Sequence, residues 1–376
     1  MDAQGQLADA GTMIALSRAS IAAAPKADVG GRSRAVAVWL FTVAAFVWAM
    51  VVVGGATRLT GSGLSITEWK PLTGALPPLS DHAWAELFAK YRATSQYRLI
   101  NQGISLSEFQ VLFWWEWAHR LLGRAVGVVF ALPLVSFLAL RQIPRRLIGR
   151  SVLLLVLGGL QGLVGWWMVQ SGLQGRASVA PERLAIHLGL ALALLAALAW
   201  TALDAWAGDP PAKVARPSGG IAGSALFAAG VYLQCLMGAL VAGNGGGRVD
   251  TDWPLMGGRV VPDDYWQGGL WATLAHGRSA GQFDHRLFAY LLLAGGFALL
   301  VHRLRATDAS RGVTILTALC VSLLLVQASL GVVTLLAGDP LSLALAHQAN
   351  AALLVGVAAG LAWRSARDAG IMLPRR

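Results

Sequence analysis

His119, His187, His285 and His347 each fall in a separate long apolar stretch, one histidine to a stretch. An ionisable side chain inside a membrane helix is costly and marks function by default. Imidazole is a standard axial ligand of haem iron, and a six-coordinate haem needs two neutral imidazoles on facing helices. Four such residues suffice for two sites. The ordinary fate of one membrane histidine is a hydrogen bond to a neighbouring helix; four at repeated positions favour ligation.

The elements that must position them are helices in a bilayer. Of 376 residues, 56% are hydrophobic and 13% charged, and mean hydropathy is +0.59. Eight segments reach the roughly 20 apolar residues needed to span hydrocarbon, near 36–57, 110–140, 150–171, 183–206, 221–243, 283–303, 312–336 and 341–363. All must be helical, because every backbone group in lipid has to be satisfied internally. The net charge of +11 sits at helix ends and not in one patch, which excludes nucleic acid as a partner and favours the bilayer.

Arg141, Arg145, Arg146 and Arg150, then Arg303, Arg305 and Arg311, then Arg364, Arg367, Arg375 and Arg376 mark the cytoplasmic ends. Both termini are expected inside, with residues 1–35 a loose cytoplasmic tail without the apolar core of a signal peptide and 367–376 a second tail. The preference for Arg over Lys fits a GC-rich bacterial source, hence an inner membrane.

The chain also repeats itself. Trp117-Ala118-His119-Arg120 answers Phe283-Asp284-His285-Arg286, Gln161 and Gly165 answer Gln327 and Gly331, and Thr67-Glu68-Trp69-Lys70-Pro71-Leu72 echoes Thr251-Asp252-Trp253-Pro254-Leu255. An all-α polytopic protein follows, with eight transmembrane helices as two tandem pseudo-symmetric four-helix bundles, 36–208 and 221–366, joined by a Pro/Gly-rich linker at 209–220. In that topology all four histidines lie near the starts of inward-running helices, towards the outer surface.

Small residues four positions on, Gly123, Ala191, Ala289 and Ala351, suit a flat macrocycle on the same helix face. Arg120 and Arg286, directly after their histidines, could meet haem propionates or snorkel to lipid phosphate. Glu116 lies three residues before His119 where the second half has Gln282, so one half alone carries a carboxylate, able to position substrate, take a proton or stabilise a cation; the plainer alternative is an ion pair with Arg120 or Arg124. Asp284 is expected to pair with Arg286. Gln161, Gln234 and Gln327 each precede a glycine by four residues, as interhelical hydrogen bonding would explain. Trp114, Trp115 and Trp117 read as an interfacial belt, His82, His276 and His302 as structural or solvated, and Cys235 and Cys320 as small buried residues with no disulfide. The glycine-rich run 54–65 follows a membrane helix and lacks the Gly-Lys-Ser/Thr ending of a phosphate loop.

Gly54-Gly55-Ala56-Thr57-Arg58-Leu59-Thr60-Gly61-Ser62-Gly63-Leu64-Ser65, Glu68-Trp69-Lys70-Pro71, Glu116-Trp117-Ala118-His119-Arg120, Asp284-His285-Arg286 and Ala346-His347-Gln348 together resemble the haem A synthase family over about residues 36–363. The resemblance implies an enzyme that oxidises the C8 methyl of haem O to a formyl group by two hydroxylations and loss of water from the gem-diol. It implies a haem b cofactor held by His285 and His347, substrate haem O flanked by His119 and His187, and Glu116 as the functional glutamate. Haem O synthase and cytochrome oxidase assembly factors are the partners it implies, and an oligomer is compatible with it. Some members carry a cysteine pair in the outer loop after the first helix; residues 58–109 here contain none. A dihaem b-type cytochrome passing electrons from quinol is the alternative, although such proteins often carry two histidines about 13 or 14 residues apart on one helix, a spacing no span here shows. A transporter is a second alternative, with no Gly/Pro-broken helix pair to support it.

Overall fold

The protein is described here by a computed structural model covering residues 33–209, 219–306 and 310–369. Most of the N-terminal tail, residues 210–218 of the linker, and Arg375 and Arg376 lie outside the described residues.

Among the described residues eight helices are long and apolar enough to cross a membrane: α1 (Arg34–Leu59), α4 (Leu106–Ala139), α5 (Arg145–Leu173), α6 (Pro181–Ala207), α7 (Gly219–Asn244), α8 (Arg278–Arg305), α9 (Arg311–Leu336) and α10 (Leu341–Asp368). Two short helices, α2 (Asp81–Arg92) and α3 (Ser95–Leu99), fold in the connection between α1 and α4. No β-strand occurs among the described residues. The chain is a multi-pass, all-helical membrane protein.

Each span is where the apolar runs put it, but the ends reach further than the apolar residues alone suggest. Helix α4 begins at Leu106, because Ser105 and Glu108 form a reciprocal capping box that satisfies donors of its first turn. Phe109 in that added turn and Phe113 just after it pack with Tyr91 against Trp84 and Phe88. His119 is therefore well inside its helix and not near its start. The other three histidines do sit within two turns of theirs, at Pro181, Arg278 and Leu341.

Neighbour relations close two rings. Helix α1 packs on α4, α4 on α5, α5 on α6, and α6 returns to α1; likewise α7 meets α8, α8 meets α9, α9 meets α10, and α10 returns to α7. The rings join where α6 touches α7 and α10, and where α10 touches α1. At the centre Val36, Leu40 and Val43 line one face of α1 and share a buried apolar cluster with Leu192 and Leu198 of α6 and Leu361 of α10. Close approach between spans depends on small residues. At Gly55 an added Cβ would fall 2.3 Å from Gln348 Oε1, and Gln348 Nε2 donates to Val51 O at 2.6 Å.

Asp204 ties the opposite end together. This buried carboxylate accepts from Trp363 Nε1 of α10 at 2.8 Å and from Arg150 of α5, while its backbone oxygen accepts from Arg146 at 2.9 Å. Removing it strands a buried indole N–H, a loss in the range of about 1–3 kcal/mol for an unsatisfied buried partner. Asp204→Ala should lower the thermal unfolding midpoint of the detergent-solubilised protein, whereas Arg305→Ala, on an exposed helix end with no described ion pair, should leave it unchanged.

Candidate functional site

The four histidines occupy one repeated local structure. A Cβ built on Gly54 of α1 would stand 2.8 Å from His119 Cε1; on Gly165 of α5, 2.8 Å from His187 Cε1; on Gly238 of α7, 3.0 Å from His285 Cε1; and on Gly331 of α9, 3.0 Å from His347 Cε1. Each imidazole thus lies close against the backbone of the preceding membrane helix, so that a side chain at Gly54 or Gly165 would force a shift and one at Gly238 or Gly331 would make the ring give by a few tenths of an ångström. Each of the four histidines is partly buried. His119 lies within electrostatic range of His187, and His285 of His347.

Glutamine fixes three of these rings. Gln161 Nε2 lies 3.2 Å from His187 Nδ1 and donates to His187 O at 3.0 Å. Gln234 Nε2 lies 3.0 Å from His285 Nδ1 and donates to His285 O at 2.9 Å. Gln327 Nε2 lies 3.1 Å from His347 Nδ1, and its Oε1 accepts from Asn350 Nδ2 at 2.8 Å. Each glutamine stands one helical turn before the seating glycine. The Gln-x-x-x-Gly spacing was visible in sequence and read as generic interhelical bonding; its target, a histidine on the next helix, was not.

Glu116 is 3% exposed and fully engaged. Its Oε2 accepts from Ser65 Oγ and from the Ile66 N–H, both at 2.7 Å, and its Oε1 accepts from Arg120 Nε at 3.1 Å and Nη2 at 2.6 Å. Arg120 also donates to Glu68 O at 2.9 Å and Ile66 O at 2.7 Å, and Arg124 to Pro71 O and Lys70 O. Together they strap the 65–71 loop across the first histidine pair's helix. The second half repeats the strap without the ion pair: Arg286 donates to Asp250 O, Asp252 O and Leu255 O, and Gln282 Nε2 donates to Asp250 O. Gly54 and Gly238, Ile66 and Asp250, and Glu68 and Asp252 are each separated by 184 residues, so seat and strapped loop are duplicated as one unit.

The loop carboxylates are held charged. Lys70 and then Lys90, at 3.0 and 3.1 Å, keep Glu68 below the usual carboxylate range, and the N–H groups of Gly258 and Gly257 do so for Asp252. Other sequence expectations fall differently. Asp284 accepts from Tyr265 at 3.1 Å and not from Arg286, whose donors go to loop carbonyls. His276 packs edge-on to Trp271 in a short π-helical turn, His82 lies on α2, and His302 at the end of α8. Cys235 and Cys320 are both free thiols. Trp114 packs against Trp84, Phe113 and Trp117.

These features suit an iron porphyrin. Among the described residues no three His, Cys, Asp or Glu side chains gather as a site for a bare metal ion. What the helices offer is four imidazoles, each backed by a helix at a glycine, and imidazole is a standard axial ligand of haem iron.

Such a repeated helical scaffold, with one glycine-seated histidine on each of four spans, defines a polytopic all-α membrane protein. The chain belongs to the cytochrome oxidase assembly protein family, whose model matches residues 37–359. It is 57% identical over 337 residues to a protein of Caulobacter vibrioides named haem A synthase, covering 89% of this chain and 97% of that one. Proteins of the same name from Methylobacterium sp., 48% identical over 356 residues, and Maricaulis maris, 44% over 339, cover 92% and 89% of this chain and 96% and 97% of their own lengths.

Because a methyl group at a seat must push the ring away, Gly238→Ala and Gly331→Ala should each reduce haem content of the purified protein. The overpacking cost is about 1–3 kcal/mol, hence roughly a ten- to hundred-fold loss of haem affinity, measurable by spectrophotometric titration. Gly295→Ala, where an added Cβ meets nothing within 4 Å, is the control expected to keep its haem.

Proposed function

We propose that this chain is a haem A synthase, converting haem O to haem A by oxidising the C8 methyl to a formyl group through two hydroxylations and dehydration of the gem-diol. The observation that carries this reading is the fourfold glycine-seated histidine, two to each half, in a member of the cytochrome oxidase assembly family. His119 and His187 flank haem O in the half comprising 36–208, and His285 and His347 hold a resident haem b in the half comprising 221–366. A bound haem b supplies one-electron redox capacity. Gln234 and Gln327 orient its two ligands, as partners outside the coordination sphere do at metal sites.

Glu116 sets the halves apart. Its charge lies one turn from His119, and the equivalent Gln282 has none. Buried and paired, it stabilises positive charge developing beside it during oxidation and, through Ser65 and Ile66, keeps the 65–71 loop closed over the substrate and water out. Arg120 and Arg286 place positive charge one residue from a ligand histidine, suited to attract propionates, while most of their hydrogen bonds hold the loops. With both termini in the cytoplasm of a bacterial inner membrane, these sites face the periplasmic side. The partners are haem O, haem A, the bilayer, haem O synthase and cytochrome oxidase assembly factors.

Glu116→Ala should retain the second-half haem spectrum and lower haem A formation about 100-fold or more, within the span of lost charge-stabilising groups; wild-type turnover would remove Glu116 from the mechanism. His119→Ala should abolish haem O oxidation with the resident haem intact, while His285→Ala should strip that haem. Indistinguishable absorption spectra for the two variants would reject the division of labour between halves. A dihaem cytochrome would instead yield only unmodified haem b on extraction and mass analysis.

A further inference from the structure

The first half contains one exception to the glutamine rule. One turn before Gly54, where the other seats have glutamine, stands Met50. Its Cε would lie 3.2 Å from a Cβ on Gly123, one turn beyond His119, so the thioether runs alongside that histidine's helix face. His119 Nδ1 is shielded from solvent and has no hydrogen-bond partner among the described residues. Both ligands of the second half are therefore pinned by glutamine, and one of the two in the first half is not.

We propose that Met50 makes His119 the exchangeable ligand of the substrate site. This rests on the reading of His119 and His187 as the haem O pair. A partner outside the coordination sphere that holds a ligand ring fixes its orientation, and losing one typically costs 10- to 100-fold in metal affinity. Methionine offers no N–H and only a weak acceptor, on a flexible stem. The iron–His119 bond opens with its electron pair returning to the imidazole nitrogen and no change in iron charge. Haem O enters and haem A leaves at that ligand, Gln161 holding His187 in place meanwhile. The resident haem, gripped by two pinned histidines, stays. Met50 is thus a positioning residue acting through His119, and it makes one of two similar sites a place of turnover.

The test is haem transfer from the full-length, detergent-solubilised protein, loaded with haem b as probe, to excess apomyoglobin. Wild type should show a fast and a slow phase, the fast one missing in His119→Ala and the slow one missing in His285→Ala. Met50→Gln should slow the fast phase roughly ten- to hundred-fold and leave the slow one alone. Gln327→Met, the converse change, should speed the slow phase by a similar factor. A fast phase that His119→Ala removes but Met50→Gln does not alter overturns the role of Met50 alone. A fast phase that survives His119→Ala overturns the ligand reading beneath it as well. Should Met50→Gln not fold, Gln327→Met decides: an unaltered slow phase overturns the proposal.

Discussion

Everything in this molecule depends on four places where an imidazole lies against the bare backbone of a neighbouring helix. Glycine permits the approach, and its helix then acts as a wall that the ring cannot pass. Because a helix is stiff and its groups recur every turn, fixing the seat also fixes what lies above and below it. One turn to one side is the residue that touches, or fails to touch, the ring's Nδ1. One turn to the other side, after Gly54, is Arg58, which donates to Ala242 O one turn after Gly238. The two first-helix seats are therefore linked to each other across the boundary between halves.

Duplication supplies the frame, and divergence at a few positions supplies the chemistry. Loop strap, seat and ligand keep their register in both halves, down to the carbonyls that Arg120 and Arg286 bind. Against that constancy, Glu116 opposite Gln282 and Met50 opposite Gln234 stand out. A carboxylate buried at the strap demands a charged partner, which Arg120 provides, whereas a neutral amide does not. The strap of the first half is accordingly an ion pair and that of the second is not. In the first half, Met50 leaves His119 without the glutamine contact that the other three rings have.

Much of the fold was legible because the bilayer makes it so. Runs of about 20 apolar residues have one structural outcome in lipid, and all eight spans follow. Ends were less legible, since caps and loop packing set them: the Ser105–Glu108 box carries α4 past its apolar run and leaves His119 deeper in its helix than counting from that run implies. Repeated histidines and the lone Glu116 were equally readable, because a costly residue in an apolar stretch announces itself. The glutamines did not, since an amide in a membrane helix has many ordinary partners.

The sequence by itself determined the eight helices, the four histidines and their arrangement as a repeat, because hydropathy and spacing along one chain encode them directly. Tertiary structure decided which glycine each ring rests on, which three rings a glutamine grips, and that Arg120, Arg124 and Arg286 close loops. Those contacts join residues on different helices, or on a helix and a distant loop. Their existence depends on which helices pack together and at what height, which no local pattern specifies.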